Sequence, residues 1–293
     1  TKRFESIGLK STNESRNKYR DMLFTTNELE KYISGIIMFD ETIRQNTVNS
    51  NIPFPKYLNE KGILTGIKVD TGAKDLAGTI NEKVTEGLDN LRVRIQEYKG
   101  LGASFAKWRA VISIDSANSI PSKSCIYANA HALARYASIC QENDIVPIVE
   151  PEVIMDGKHD IKQCQEVTKM VLNIVFEQLS LMNVLLEGIV LKPNMIICGK
   201  DCEKSCSDDP KKVADLTLQS LLESVPKEVP GIAFLSGGQS SDLATRHLNL
   251  MNKMASKEGL NDYWNLTFSY GRALQQDSLS IWKDEDTKLA QEK

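Results

Sequence analysis

Lys192 closes an apolar run, "LLEGIVLKPNM" at 185–195, where a charged ammonium would be costly to bury. Two other apolar runs carry a lysine in the same way, Lys68 in "GIKVD" and Lys107 in "FAKWR". A fourth, "PIVEPE", carries Glu150 and Glu152. One such charge marks only where a strand emerges into solvent; charges on four successive runs fit strands that converge on one cavity. Lysine in water has a pKa near 10.4, so about one amine in 2,000 is neutral at pH 7. Desolvation and a neighbouring cation both favour the neutral form. A neutral amine adds to a carbonyl carbon and gives a Schiff base, and Glu150 is suited to supply the proton that expels water from the carbinolamine. Lys192 is the candidate nucleophile, although these runs alone leave the choice among the lysines open.

Two later stretches point to an anion. "FLSGGQSS" places Ser236, Gly237 and Gly238 directly after an apolar run, where glycines let backbone N–H groups approach a ligand and a following helix adds its dipole. "FSYGRAL" adds Ser269, Gly271 and Arg272, and arginine can hold a phosphate through two parallel hydrogen bonds. In (β/α)8 barrels the phosphate site commonly follows strands seven and eight. A Schiff-base lysine beside such a grip implies a phosphorylated sugar.

These residues need a scaffold that brings strand ends together. Seven short apolar runs recur: "GIIMF", "GILTGIKVD", "SFAKWRAVISI", "DIVPIVEPEV", "LLEGIVLKPNM", "GIAFLS" and "NLTFSYGRAL". Helix-period segments lie between them, with Ala130, Leu133, Ala134 and Ala137 in one and Val167, Met170, Val171, Ile174 and Val175 in another. Ser11, Thr12 and Asn13 are cap candidates for an N-terminal helix. The alternation predicts an α/β chain with a parallel sheet, a (β/α)8 TIM barrel. No linker divides the 293 residues, so 1–293 reads as one domain, one strand short of eight.

With 41% hydrophobic residues and a net charge of -3, the chain has ample core and no basic face for nucleic acid. No run is apolar and long enough for a membrane span. The six cysteines are scattered and read as reduced thiols in a cytosol-like compartment. Cys198, Cys202 and Cys206 match no zinc or cluster spacing, and their stretch reads as a surface loop with incidental thiols. His131, His159 and His247 read as ordinary surface or helix positions.

The motifs "GIKVD", "FAKWR", "ARYASICQ", "IVPIVEPE", "LEGIVLKPNM", "FLSGGQS" and "LTFSYGRALQ", in this order, resemble class I fructose-1,6-bisphosphate aldolase. "KRFESIGL" and "YISGIIMFDETI" extend the resemblance towards the N-terminus. It implies that Lys192 forms the Schiff base and Glu150 transfers protons. It makes Lys107 the neighbouring cation, with Glu152 in the same cluster. Ser236, Gly237, Gly238, Ser269, Gly271 and Arg272 would grip one phosphate. Lys2, Arg3, Lys68 and Arg109 would meet the other, with Arg16 a further substrate contact. The implied reaction is reversible cleavage of fructose 1,6-bisphosphate to dihydroxyacetone phosphate and glyceraldehyde 3-phosphate. No cofactor or metal is required, because the iminium is the electron sink. The family also implies a homotetramer, a cytoplasmic or plastid location, and binding to actin or membrane adaptors.

The family's opening strand, ending "AADES" with an aspartate that assists carbon–carbon cleavage, has no counterpart here, nor has its C-terminal tail ending in tyrosine. The sequence therefore reads as a piece of a longer chain. "MIICGKDC" also departs from the family's usual Thr-Pro-Gly after the lysine. Two other readings compete: a non-catalytic scaffold descended from aldolase, and a transaldolase-like transferase that would also use a Schiff base.

Overall fold

The computed structural model describes residues 2–203, 209–283 and 286–292; the side chains of Lys2, Arg3 and Asn261 lie outside the description. Its strands are β1 (Gly35–Met38), β2 (Leu64–Lys68), β3 (Gly72–Asp75), β4 (Lys83–Glu86), β5 (Phe105–Ile112), β6 (Val146–Val153), β7 (Val190–Leu191), β8 (Gly231–Phe234) and β9 (Asn265–Phe268). Seven of them form one sheet in the order β1-β2-β5-β6-β7-β8-β9, every pair parallel. Each lies inside one of the seven apolar runs. Chain order equals sheet order, interrupted only by the β3–β4 hairpin, as expected of consecutive βα units winding a barrel. Among the described residues β1 and β9 are the sheet's edges.

The strands' period of two decides which side chains face inward. On β5, Ala106, Trp108, Ala110 and Ile112 are buried under the helices, and Trp108 packs on Tyr136 of the helix Lys123–Glu142 at 5.6 Å between ring centroids. The alternate residues Lys107 and Arg109 then point into the barrel. β6 repeats the pattern, with Val149 and Val153 buried in the hydrophobic core and Glu150 and Glu152 turned inward to pair with the β5 cations. The β7 ladder runs past its last strand residue: Lys192 N–H donates to Val149 O at 2.8 Å, and Leu235 N–H donates to Pro193 O at 3.1 Å. Pro193 has no N–H to give, so the ladder ends there.

The helices behave as their sequences predict, with one shift. Ser122 caps Lys123–Glu142, which buries Ala130, Leu133, Ala134 and Ala137. Thr12 caps Asn13–Phe24 in a capping box with Ser15. In Ile161–Leu181, which begins with an Asp160–Gln163 capping box, Val171 and Val175 are buried but Met170 is 46% exposed. Cys164, Thr168 and Leu172 complete the stripe and centre it on Val171, which leaves Met170 beyond its edge. None of the described helices is long and apolar enough to cross a membrane.

The antiparallel β3–β4 hairpin was not foreseen, because "GAKD" and "KVTE" carry too few apolar residues to read as strands. Polar groups hold it. Buried Asn129 accepts from Thr85 N–H at 3.1 Å and donates to Lys83 O at 2.8 Å, while Thr85 Oγ1 donates to Arg109 O at 2.7 Å. The cysteine and histidine readings need correction. Cys198 is disulfide-bonded and buried, since the run after Lys192 stays inside as far as Gly199; Cys125, Cys140, Cys164 and Cys202 are free thiols. Cys206 lies outside the described residues. His247 lies on a helix as expected, buried on its inner face, whereas His159 is neither on the surface nor on a helix but buried in a loop.

Candidate active site

Four parallel strand ends deliver a ladder of alternating charge across the barrel's C-terminal mouth. Lys192 Nζ lies 3.3 Å from Glu150 Oε1, and Lys107 Nζ lies 3.2 Å from Glu150 Oε2. Lys107 Nζ is also 3.7 Å from Asp70 Oδ2, while Lys68 Nζ donates to Asp70 Oδ1 at 2.5 Å and to Asp70 O at 2.8 Å. Arg109 Nε pairs with Glu152 one residue pair further along β5 and β6. Asp70 is fixed as well by the N–H groups of Gly72 at 3.2 Å and Arg109 at 3.3 Å. Lys68, Lys107 and Arg109 thus match Asp70, Glu150 and Glu152 one for one, so a charge on Lys192 would be in excess.

Burial sets the chemistry of this ladder. Lys192 is 8% exposed and Glu150 is 3% exposed. Desolvation pushes the Lys192 amine below the ordinary lysine value; Glu150 opposes this and Lys107 adds to it. Burial also works against the charge on Arg109, but the Glu152, Glu150 and Asp70 carboxylates outweigh it and hold its pKa above the ordinary value. Glu150 Oε2 is buried and makes no hydrogen bond among the described residues, despite its ion-pair distance to Lys107. That oxygen is held by charge and retains a lone pair for a proton. A neutral-prone amine beside a carboxylate with a free oxygen is equipped for carbonyl addition and proton transfer.

The glycine turn lies at the next strand ends. Ser236 is buried, and Gly237 and Gly238 have φ of 60° and 84°. A Cβ on Gly238 would stand 2.9 Å from Met155 Sδ and 3.6 Å from Arg272 Nη2, so the position adjoins the guanidinium, and its positive φ disfavours any side chain. Ser269 N–H donates to Phe234 O at 2.9 Å, which carries the β8–β9 ladder up to the turn. Gly271 caps the helix Arg272–Trp282, whose first N–H groups open the same end of the barrel.

Most of the expected site residues therefore assemble; Arg16 does not, and Lys2 and Arg3 fall outside the described side chains. Arg16, on the helix Asn13–Phe24, donates to Glu41 from Nε at 2.8 Å and from Nη2 at 2.5 Å, and does not join the Lys192 ladder. Lys2 and Arg3 cannot be placed at the mouth, since their side chains lie outside the described residues. Asp70 was missed. Its only sequence signal is its place two residues after Lys68 at the end of "GIKVD", where a carboxylate also reads as the strand's exit to solvent.

The comparisons with known proteins converge. A family model described as fructose-bisphosphate aldolase class-I matches residues 1–293. A probable fructose-bisphosphate aldolase class 1 from Xanthomonas campestris is 54% identical over 286 residues, covering 98% of this chain and 83% of that protein. Fructose-bisphosphate aldolase 1 from Toxoplasma gondii is 50% identical over 282 residues, covering 96% of this chain and 76% of that protein. Among solved structures, fructose-bisphosphate aldolase from Plasmodium falciparum, in complex with TRAP and a small-molecule inhibitor, superposes with a TM-score of 0.94 at 45% identity. That match covers 99% of this chain and 82% of that one.

Proposed function

The chain belongs to the class-I fructose-bisphosphate aldolase family, and from that premise and the barrel-mouth geometry we infer that it cleaves fructose 1,6-bisphosphate reversibly through a Schiff base on Lys192. The observation that carries this reading is the buried Lys192 amine, lowered in pKa and 3.3 Å from Glu150. Neutral Lys192 adds to the substrate's ketone carbon. Glu150 relays the proton released by the adding nitrogen to the departing hydroxyl of the carbinolamine; its carboxylate then takes the C4 hydroxyl proton as the C3–C4 bond breaks and the electron pair passes into the iminium. Glyceraldehyde 3-phosphate leaves, and protonation and hydrolysis of the enamine release dihydroxyacetone phosphate. Lys107 disfavours a second charge on Lys192 and holds Glu150.

The turn at Ser236, Gly237 and Gly238, with Ser269, Gly271 and Arg272, receives the phosphate on the ketone side. Arg109 and Lys68 face the other phosphate. Retention of the whole lysine–carboxylate ladder favours the enzyme over a non-catalytic scaffold. For assembly and place we propose a homotetramer in the cytoplasm, on the strength of the family likeness and a relative named as cytosolic in Arabidopsis thaliana; light scattering and fractionation test these. The function is tested by borohydride reduction in the presence of dihydroxyacetone phosphate, followed by peptide mass spectrometry. The expected result is a stable adduct on Lys192. A folded protein with unmodified Lys192 overturns it.

A further inference from the structure

Behind the Ser236–Gly238 turn lies a polar pair that the Schiff-base chemistry does not use. Gln239 follows the turn, and His247, fully buried, projects from the helix Ser241–Glu258. His247 Nδ1 stands 2.7 Å from Gln239 Oε1. Gln239 Nε2 donates to the Ser236 carbonyl at 2.9 Å, and the Gln239 backbone N–H donates to the same oxygen at 3.0 Å. Gln239 Nε2 also touches Met195 Sδ at 3.5 Å, on the segment that follows Lys192.

Hydrogen-bond arithmetic fixes every orientation in this chain. A carbonyl oxygen only accepts, so the amide nitrogen of Gln239 must face Ser236 and its oxygen must face His247. That oxygen also only accepts, so His247 Nδ1 carries the proton. Burial, with Arg246 adding to it, pushes His247 below the ordinary histidine value, and its Nε2 has no partner among the described residues. The ring is therefore neutral, in a single tautomer. The Ser236 carbonyl, drawn to two donors on Gln239, turns the Gly237 N–H of the same planar peptide the other way. Neither Gly237 nor Gly238 donates its N–H to a backbone partner among the described residues.

We propose that His247 and Gln239 are positioning residues for anion binding: His247 orients the Gln239 carboxamide, which anchors the Ser236 carbonyl and so aims the N–H groups of the glycine turn beside Arg272. This rests on the reading of that turn as the site of the ketone-side phosphate. Without the His247 donor the Gln239 amide is free to rotate and set its oxygen against the Ser236 oxygen, acceptor against acceptor. The turn then keeps only the Gln239 backbone N–H on the Ser236 carbonyl, while Lys192 and Glu150 keep all their anchors, because these are held by the β6 and β7 ladders.

The test compares a phosphorylated with an unphosphorylated ketone. Borohydride trapping on the full chain is timed with subsaturating dihydroxyacetone phosphate and, separately, with dihydroxyacetone. Affinity for inorganic phosphate is measured in parallel by calorimetry. Gln239→Met keeps the side-chain length but removes donor and acceptor; His247→Leu removes the donor; His247→Asn retains one. In Gln239→Met and His247→Leu, trapping of the phosphorylated ketone and phosphate affinity should each fall about tenfold, the worth of one or two net hydrogen bonds. Trapping of dihydroxyacetone should not change, and His247→Asn should lie near the wild type. A loss shared equally by both ketones marks a merely structural effect and overturns the proposal, as does a folded Gln239→Met with unchanged phosphate affinity. Absence of any adduct in the wild type, with phosphate affinity still weakened in the variants, would instead refute the Schiff-base reading alone. If His247→Leu does not fold, half-buried Gln239 carries the test.

Discussion

Replacing Glu150 by Gln should produce two effects of opposite sign on one pH profile. The carboxylate stands 3.3 Å from Lys192 Nζ and 3.2 Å from Lys107 Nζ, and is itself 3% exposed. Two unit charges 3.3 Å apart attract by about 1 kcal/mol in the dielectric of water and about 5 kcal/mol at an effective dielectric of 20. Loss of that attraction removes the main influence favouring the charged Lys192, while desolvation and Lys107 continue to disfavour it. The amine therefore becomes neutral at lower pH, and the acid limb of the borohydride-trapping profile moves down in pH. Glutamine cannot give a proton to the carbinolamine hydroxyl, so the plateau of the profile should fall by roughly 100-fold or more. The assay is the rate of adduct formation with dihydroxyacetone phosphate across pH, with thermal unfolding as the control for fold. An acid limb that stays put or moves up would refute the electrostatic account. An unchanged plateau would remove Glu150 from proton transfer.

Three further outcomes follow from the same coordinates. Lys107→Met removes a cation that disfavours charge on Lys192, so the acid limb should move up in pH, opposite to the Glu150 variant; a downward shift would contradict the ladder's polarity. Gly66→Ala sets a Cβ 2.1 Å from the Phe105 ring at the barrel's inner face, and should lower stability by about 1–3 kcal/mol, read in a denaturant titration. Glu41 is held at about 2, below its ordinary 4.5, first by its hydrogen bond from Arg16 and then by Arg20. A depressed folded-state pKa gives stability that is present above about 4.5 and lost as pH falls towards about 2. Glu41→Gln should flatten the acid limb of unfolding in that window, and an unchanged acid limb would show that the partly buried pair is fully screened.

The sequence announced the sheet because a strand covered on both faces must be apolar along its whole length, and seven such runs became seven parallel strands. It announced the charged residues for a related reason: Lys107, Glu150 and Lys192 stand out only because everything beside them is apolar. The β3–β4 hairpin was invisible, since its stability comes from Asn129 on a distant helix and from Thr85 bonding to Arg109, and not from its own composition. Arg16 is a substrate contact by resemblance only; its guanidinium pairs with Glu41 on the helix Asp40–Ile43, a partner that no motif announces.

Asp70 and Gln239 share the reason they went unnoticed. Asp70 closes the same apolar run as Lys68 and reads as the place where the strand meets solvent, and Gln239 reads as one polar loop residue among others; neither role shows until the partners are known. Asp70 connects Lys68 to Lys107, 39 residues apart in sequence but register neighbours on β2 and β5. Without that carboxylate the two lysines would face each other with only Glu150 on the far side to balance them. The repulsion would drive Lys68 out of the mouth and leave Lys107 to take Glu150 from Lys192. Asp70→Asn thus tests whether the ladder works as one unit. It should weaken substrate binding through Lys68 and also alter the pH profile of Lys192, three strands away. A change in binding with no change in that profile would show that the charges act pairwise, and that Glu150 alone tunes the amine.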